Sequence, residues 1–136
     1  MTLQRALAIL GTIVGAACAS SPTRPSGLPL GQPFEMRAGA SATLDGGLAI
    51  TFDGVRSDSR CPIDAFCVWA GDAVVAVSLS QPLGNRVERE LHTDPSGSET
   101  SYAAYSIKLV ALAPFPRSDR QIGPKDYVAT LTVRSR

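Results

Sequence analysis

The chain has 136 residues, with 13 Lys plus Arg, 12 Asp plus Glu and a formal charge of +1. That length holds one ordinary domain, and the near-neutral balance excludes the basic face of a nucleic-acid binder. Hydrophobic residues make up 44%, too many for a disordered chain, yet no apolar run is long enough to span a bilayer.

Arg5 stands in a short basic n-region, and Ala6 to Ala17 form an apolar stretch of twelve residues. As a helix this stretch spans about 18 Å against roughly 30 Å of hydrocarbon, so residues 1–17 read as a signal peptide and not as a membrane anchor. Gly15-Ala16-Ala17-Cys18 resembles a bacterial lipobox, which implies a lipidated Cys18 as the mature N-terminus. A competing site, Ala17-Cys18-Ala19, cuts before Ser20 and discards the cysteine, leaving a periplasmic or secreted protein. With Cys18 first, Arg5 is lost and the mature side chains balance at 12 against 12. Membrane attachment then rests on lipid, and more than one acyl chain is needed for stable anchoring. Ala19, where inner-membrane retention would want Asp, implies by the same resemblance an outer-membrane lipoprotein facing the periplasm or the surface.

Residues 18–33 read as a tether. Ser20 to Pro33, SSPTRPSGLPLGQP, holds four prolines, three serines and two glycines, a composition that favours extended backbone and stops helix propagation. At about 3.1 Å per residue it reaches up to roughly 40 Å.

From 34 to 136 the apolar period is two, and a single all-β domain is expected. Leu48, Ile50 and Phe52 alternate with Ala49, Thr51 and Asp53. Val75, Val77 and Leu79 alternate with Val74, Ala76 and Ser78, and Tyr127, Ala129, Leu131 and Val133 alternate with Val128, Thr130 and Thr132. Ile107 and Leu109 follow the same rule, while the run on to Leu112 predicts a shift of face or a bulge. Such alternation marks half-buried strands. Turn chemistry separates them at Asp45-Gly46-Gly47, Pro82 to Asn85, Asp94 to Gly97 and Ile122-Gly123-Pro124. Six to eight short strands in a small antiparallel sandwich or barrel are predicted.

Between two of these strands lies Ser57 to Ala73, SDSRCPIDAFCVWAGDA. Cys61 and Cys67 are the only cysteines beyond position 18, and an exported compartment permits their oxidation. The spacing is not C-x-x-C, which argues against a redox role. Trp69 lies two residues after Cys67, hence on the same strand face as the sulfur, and forms an apolar plug where the crossover loop meets the sandwich. The segment then acts as a folding clasp. Alternatively, the braced loop presents Ile63, Asp64 and Phe66 to a partner, because bracing lowers the ordering cost of binding and aromatics are common anchors. Phe66 is equally placed to be buried beneath the loop.

The run DSRCPxxxxCVWAGDA, with YSIKLVALAPFP and DYVATLTV further on, resembles a group of small exported bacterial proteins, often lipoproteins, of unassigned function, whose specific part is the CPxxxxCVWAG-type segment. The resemblance implies a secreted β-domain and brings no catalytic residues with it.

Catalytic chemistry finds little support. His92 is the only histidine, which leaves a hydrolase few ways to activate a nucleophile. It ends RVERELHT on the face of Arg86, Glu88 and Glu90, which reads as a solvated strand face. Glu88 and Glu90 lie roughly 7 Å apart, within the range for an inverting glycosidase, but Arg86 and Arg89 supply ordinary ion partners. Asp53, Asp58, Asp64 and Asp72 flank the cysteine loop and suit calcium chemically, yet lack calcium-loop spacing. No metal or cofactor is expected. The favoured expectation is a non-enzymatic cell-envelope binding module that offers end loops to a protein or glycan. The alternative is an inhibitor of a secreted protease or hydrolase that uses the Cys61–Cys67 loop.

Overall fold

The computed structural model describes residues 27–136. The expected signal peptide, Cys18 and residues 18–26 of the expected tether lie outside the described residues. Within them the chain forms eight strands: β1 (Pro33–Arg37), β2 (Ser41–Thr43), β3 (Ala49–Asp58), β4 (Ala73–Ser80), β5 (Val87–His92), β6 (Glu99–Tyr102), β7 (Tyr105–Ala113) and β8 (Val128–Ser135). They make two four-stranded sheets, ordered β1-β8-β7-β6 and β2-β3-β4-β5, and every pairing within them is antiparallel. The chain changes sheet between β1 and β2 and again between β5 and β6, the second time through a short 3-10 turn, Pro95–Gly97, capped by Asp94.

The period-two residues fill the space between the sheets. Ile50, Phe52, Val75, Val77, Leu79 and Leu91 face Ile107, Leu109, Ala129, Leu131 and Val133 in one core. On β7 the register slips between Leu109 and Ala111, so Val110 is an extra residue relative to β8. This bulge returns Leu112 to the core, as the break in alternation predicts.

β4 departs from simple alternation, since Ala76 and Ser78 on its outer face are buried as well. Long charged side chains from the flanking strands roof them over. Arg56 of β3 pairs with Glu88 of β5, and Arg86 reaches Asp53 at 3.1 Å. Ser78 Oγ donates to Asp53 at 2.6 Å beneath them. Glu88 is therefore partnered by Arg56 and not by Arg86 or Arg89 as expected, because a strand's ion partners are set by its neighbours across the sheet.

The domain also begins earlier than residue 34. Leu28 bridges to Leu44, its N–H donating to Thr43 O at 2.9 Å, and Gly31 N–H donates to Val133 O at 2.7 Å. Residues 27–33 are thus laid onto the sandwich instead of forming the end of a tether. Leu28 lies beside the β2–β3 turn, whereas the Cys61–Cys67 segment follows the far end of β3. Ten residues of strand separate these two ends by about 30 Å.

A braced apolar loop as the candidate site

The segment 59–72 leaves the end of β3 and returns to β4 through a narrow neck. Ser59 N–H donates to Asp72 O at 2.7 Å, and Cys61 N–H donates to Ala70 O at 2.8 Å. Ser59 Oγ donates to Asp72 O at 2.9 Å and accepts from Asp72 N–H at 3.1 Å. Gly71 closes the neck with φ +70°, and a Cβ there would lie 1.8 Å from Ser59 O. No L side chain fits at that point. Above the neck, the Cys61–Cys67 disulfide is formed across a Cα separation of 5.9 Å.

Three side-chain networks and one backbone bond fasten this loop to the sandwich. First, Arg60 grips Asp58 through two hydrogen bonds of 2.8 and 2.7 Å, with side-chain exposures of only 9% and 11%. The same guanidinium donates to Leu112 O at 2.7 Å and Pro114 O at 3.0 Å, and the Tyr127 hydroxyl donates to Asp58 at 3.1 Å. Burial by itself would raise the Asp58 pKa, but the Arg60 donors and the Tyr127 hydroxyl outweigh it and hold the carboxyl below its ordinary range. Tyr127 is pushed up by burial and by its bond to that carboxylate. Second, Asp72 takes His92 Nδ1 at 2.6 Å, Thr93 Oγ1 at 2.9 Å and Asp94 N–H at 2.9 Å. Here too burial raises the carboxyl pKa and the donors more than reverse it. Third, Ser118 donates to Asp64 through both N–H and Oγ, at 2.9 and 2.8 Å, and these bonds lower the Asp64 pKa. Ile63 N–H donates to Pro116 O at 3.0 Å, which ties the loop to the segment after β7.

With its polar side chains turned inward, the loop carries its apolar ones outward. Phe66 is 107% exposed, Val68 87% and Trp69 81%, and Ile63 and Phe115 are also exposed. Two expectations change as a result. Trp69 is not a plug: Cys67 to Ala70 is not strand, so the indole does not inherit a strand face, and the nearly buried side chains at the neck are those of Arg60 and Asp58. Phe66 is not buried beneath the loop. Ile63 and Phe66 stand at the surface as a binding loop would require, whereas Asp64 is a fastening to Ser118.

His92 is not on a freely solvated face, because it helps secure Asp72 and its ring packs against Gly97. Glu88 and Glu90 are exposed on β5. The four aspartates considered for calcium sit in four separate networks, and no three His, Cys, Asp or Glu among the described residues are grouped to hold a metal. Arg60, Tyr127, Ser118, Val68 and Phe115 escape sequence reasoning. Apart from Val68, which is simply exposed, their roles come from contacts between segments some 50 to 70 positions apart (54 for Asp64 to Ser118, 69 for Asp58 to Tyr127), which no local pattern announces.

A scan against protein-family models found no match, and searches of curated proteins and of solved structures found none either.

Proposed function

We propose that this protein is a non-enzymatic cell-envelope interaction module, lipid-anchored through Cys18 at the outer membrane, that offers the Cys61–Cys67 loop to a protein or glycan. The observation that carries the reading is the near-complete exposure of Phe66, Val68 and Trp69 on a loop whose polar side chains are committed to holding it rigid. An unbraced chain would bury such residues or lose entropy on binding; a pre-shaped loop avoids that cost. Exposed aromatics in contiguous patches mark contact surfaces. Attachment through the N-terminus is compatible with this use, since the described chain starts beside the β2–β3 turn, at the end remote from the loop.

The test is photo-crosslinking in living cells from positions 66 and 69, with position 83 as control. Leu83 is equally exposed, at 104%, but sits in the β4–β5 turn at the opposite end of the sandwich. A discrete adduct from 66 and 69 and none from 83 supports the reading; equal labelling from all three, or none, sinks it. A second reading, inhibition of a secreted hydrolase, is favoured by the full exposure of Phe66 within a disulfide-closed loop. It requires inhibition of an exported protease or hydrolase that is lost in Phe66→Ala.

A further inference from the structure

Beside the loop, between the bulge of β7 and the bend that follows β5, lies a cleft of about 210 Å³ walled by Arg60, Thr93, Leu109, Val110, Leu112 and Phe115. Arg60 directly precedes Cys61, and Ile63 N–H donates to the carbonyl of Pro116, the neighbour of Phe115, so the recess adjoins the base of the loop that carries Phe66. A cavity of about 150 Å³ suffices for a benzene ring, so a phenyl side chain fits this one. Its wall includes the Arg60 guanidinium, 5.9 Å from the Phe115 ring centroid. A second ring entering there would meet both an aromatic and a cation.

We infer that the occupant is a second copy of this chain, each copy inserting Phe66 into the cleft of the other across a two-fold axis. The inference rests on the reading of this face as an interaction surface. A two-fold interface must be self-complementary, with residue and receptor on the same surface, and the Phe66 knob with the neighbouring cleft meets that condition. Area agrees: Phe66, Trp69 and Phe115 at their observed exposures offer roughly 400–600 Å² of aromatic surface. Ile63, Val68 and the cleft walls add to this toward the ~800 Å² per partner of a standard interface. Charge agrees as well. Asp64 is the only charged residue between Cys61 and Gly71 and is held by Ser118, while the rim alternates Arg117, Asp119 and Arg120, already paired among themselves. Two copies therefore meet without like-charge repulsion. The described N-terminal segment, from Gly27 onward, lies beside the β2–β3 turn at the far end of the sandwich and covers none of the loop. Glycan is disfavoured, because the side chains that would read hydroxyl groups, Asp58, Ser59, Arg60, Asp64 and Asp72, are engaged internally.

The experiment is sedimentation of the purified exported protein over a dilution series, with two single variants and their mixture. Phe66→Ala removes the knob and keeps the cleft; Val110→Arg blocks the cleft and keeps the knob. Wild type is expected at twice the single-chain mass, each variant alone dissociating with a Kd raised about tenfold or more. The mixture should recover part of the dimer through its one intact knob and cleft. A wild type that stays monomeric throughout, a dimer indifferent to Phe66→Ala, or a mixture no better than its components overturns the inference. A monomer that floats with phosphatidylcholine vesicles assigns the face to lipid instead, and also overturns it. Crosslinking from position 66 separates this from the broader reading: a self-adduct upholds both, an adduct with another protein alone defeats only the dimer, and no adduct defeats both.

Discussion

Gly71 and the Asp58–Arg60 pair decide whether the loop keeps its shape. At Gly71 the objection to a side chain is twofold, a φ of +70° and a Cβ position 1.8 Å from Ser59 O. Gly31 has a similar φ of +81° with open space around its Cβ position. Gly31→Ala should therefore cost about 1 kcal/mol, the left-handed penalty alone, and Gly71→Ala more than about 2 kcal/mol. Urea denaturation of the two variants compares them directly, and equal losses would contradict the neck geometry. For Asp58 and Arg60, removing one partner leaves a nearly buried charge unmatched, so Asp58→Asn should destabilise by about 3 kcal/mol. The pH dependence has a definite sign. Asp58 and Asp72 both have native pKa values below their unfolded ones. Their contribution is present in full above the unfolded carboxylate pKa, near 4, and is lost as pH falls through the lower native values. Stability measured from about pH 5 downward should fall less steeply in Asp58→Asn than in wild type.

Among the elements, the strands were the most legible feature. Leu48, Ile50, Phe52, Leu131 and Val133 are fully buried as their period-two spacing predicts, because a half-buried strand imposes that period on its own sequence. The β7 bulge was legible too, since Leu112 breaks the alternation that Leu109 sets. Deleting Val110 should leave Ala111 and Leu112 opposite Thr130 and Ala129, their present partners, with Leu112 still inward. That variant should fold with a loss of about 1 kcal/mol, whereas deleting Lys108 turns Leu109 and Leu112 outward and should abolish cooperative melting. The disulfide was expected from cysteine count and compartment and is formed. Reducing it should lower stability by about 2 kcal/mol on the chain-entropy estimate, seen as a lower unfolding midpoint. The neck bonds of Ser59 with Asp72 and of Arg60 with Asp58 do not depend on it.

At the scale of the molecule, two ends of one sandwich are specialised differently: the described N-terminal segment packs at one, and the braced loop projects from the other. Because Phe66 and Trp69 contribute almost nothing to the core, Phe66→Ala and Trp69→Ala should change stability by no more than about 0.5 kcal/mol. The same substitutions should abolish the contacts proposed for this face, and a large drop in melting temperature would return these side chains to a structural role. The sequence by itself determined the all-β class, the strands and the cysteine pair, because each rests on a period or a spacing that neighbouring residues carry among themselves. Only the tertiary structure decided that Trp69 faces solvent, that Asp64 is a fastening and that Arg60 seals the neck. In a loop no period sets the direction of a side chain. It follows from which distant segment arrives alongside, here the residues from Leu112 to Ser118 and from His92 to Asp94, and that arrangement exists only once both sheets have closed on their common core.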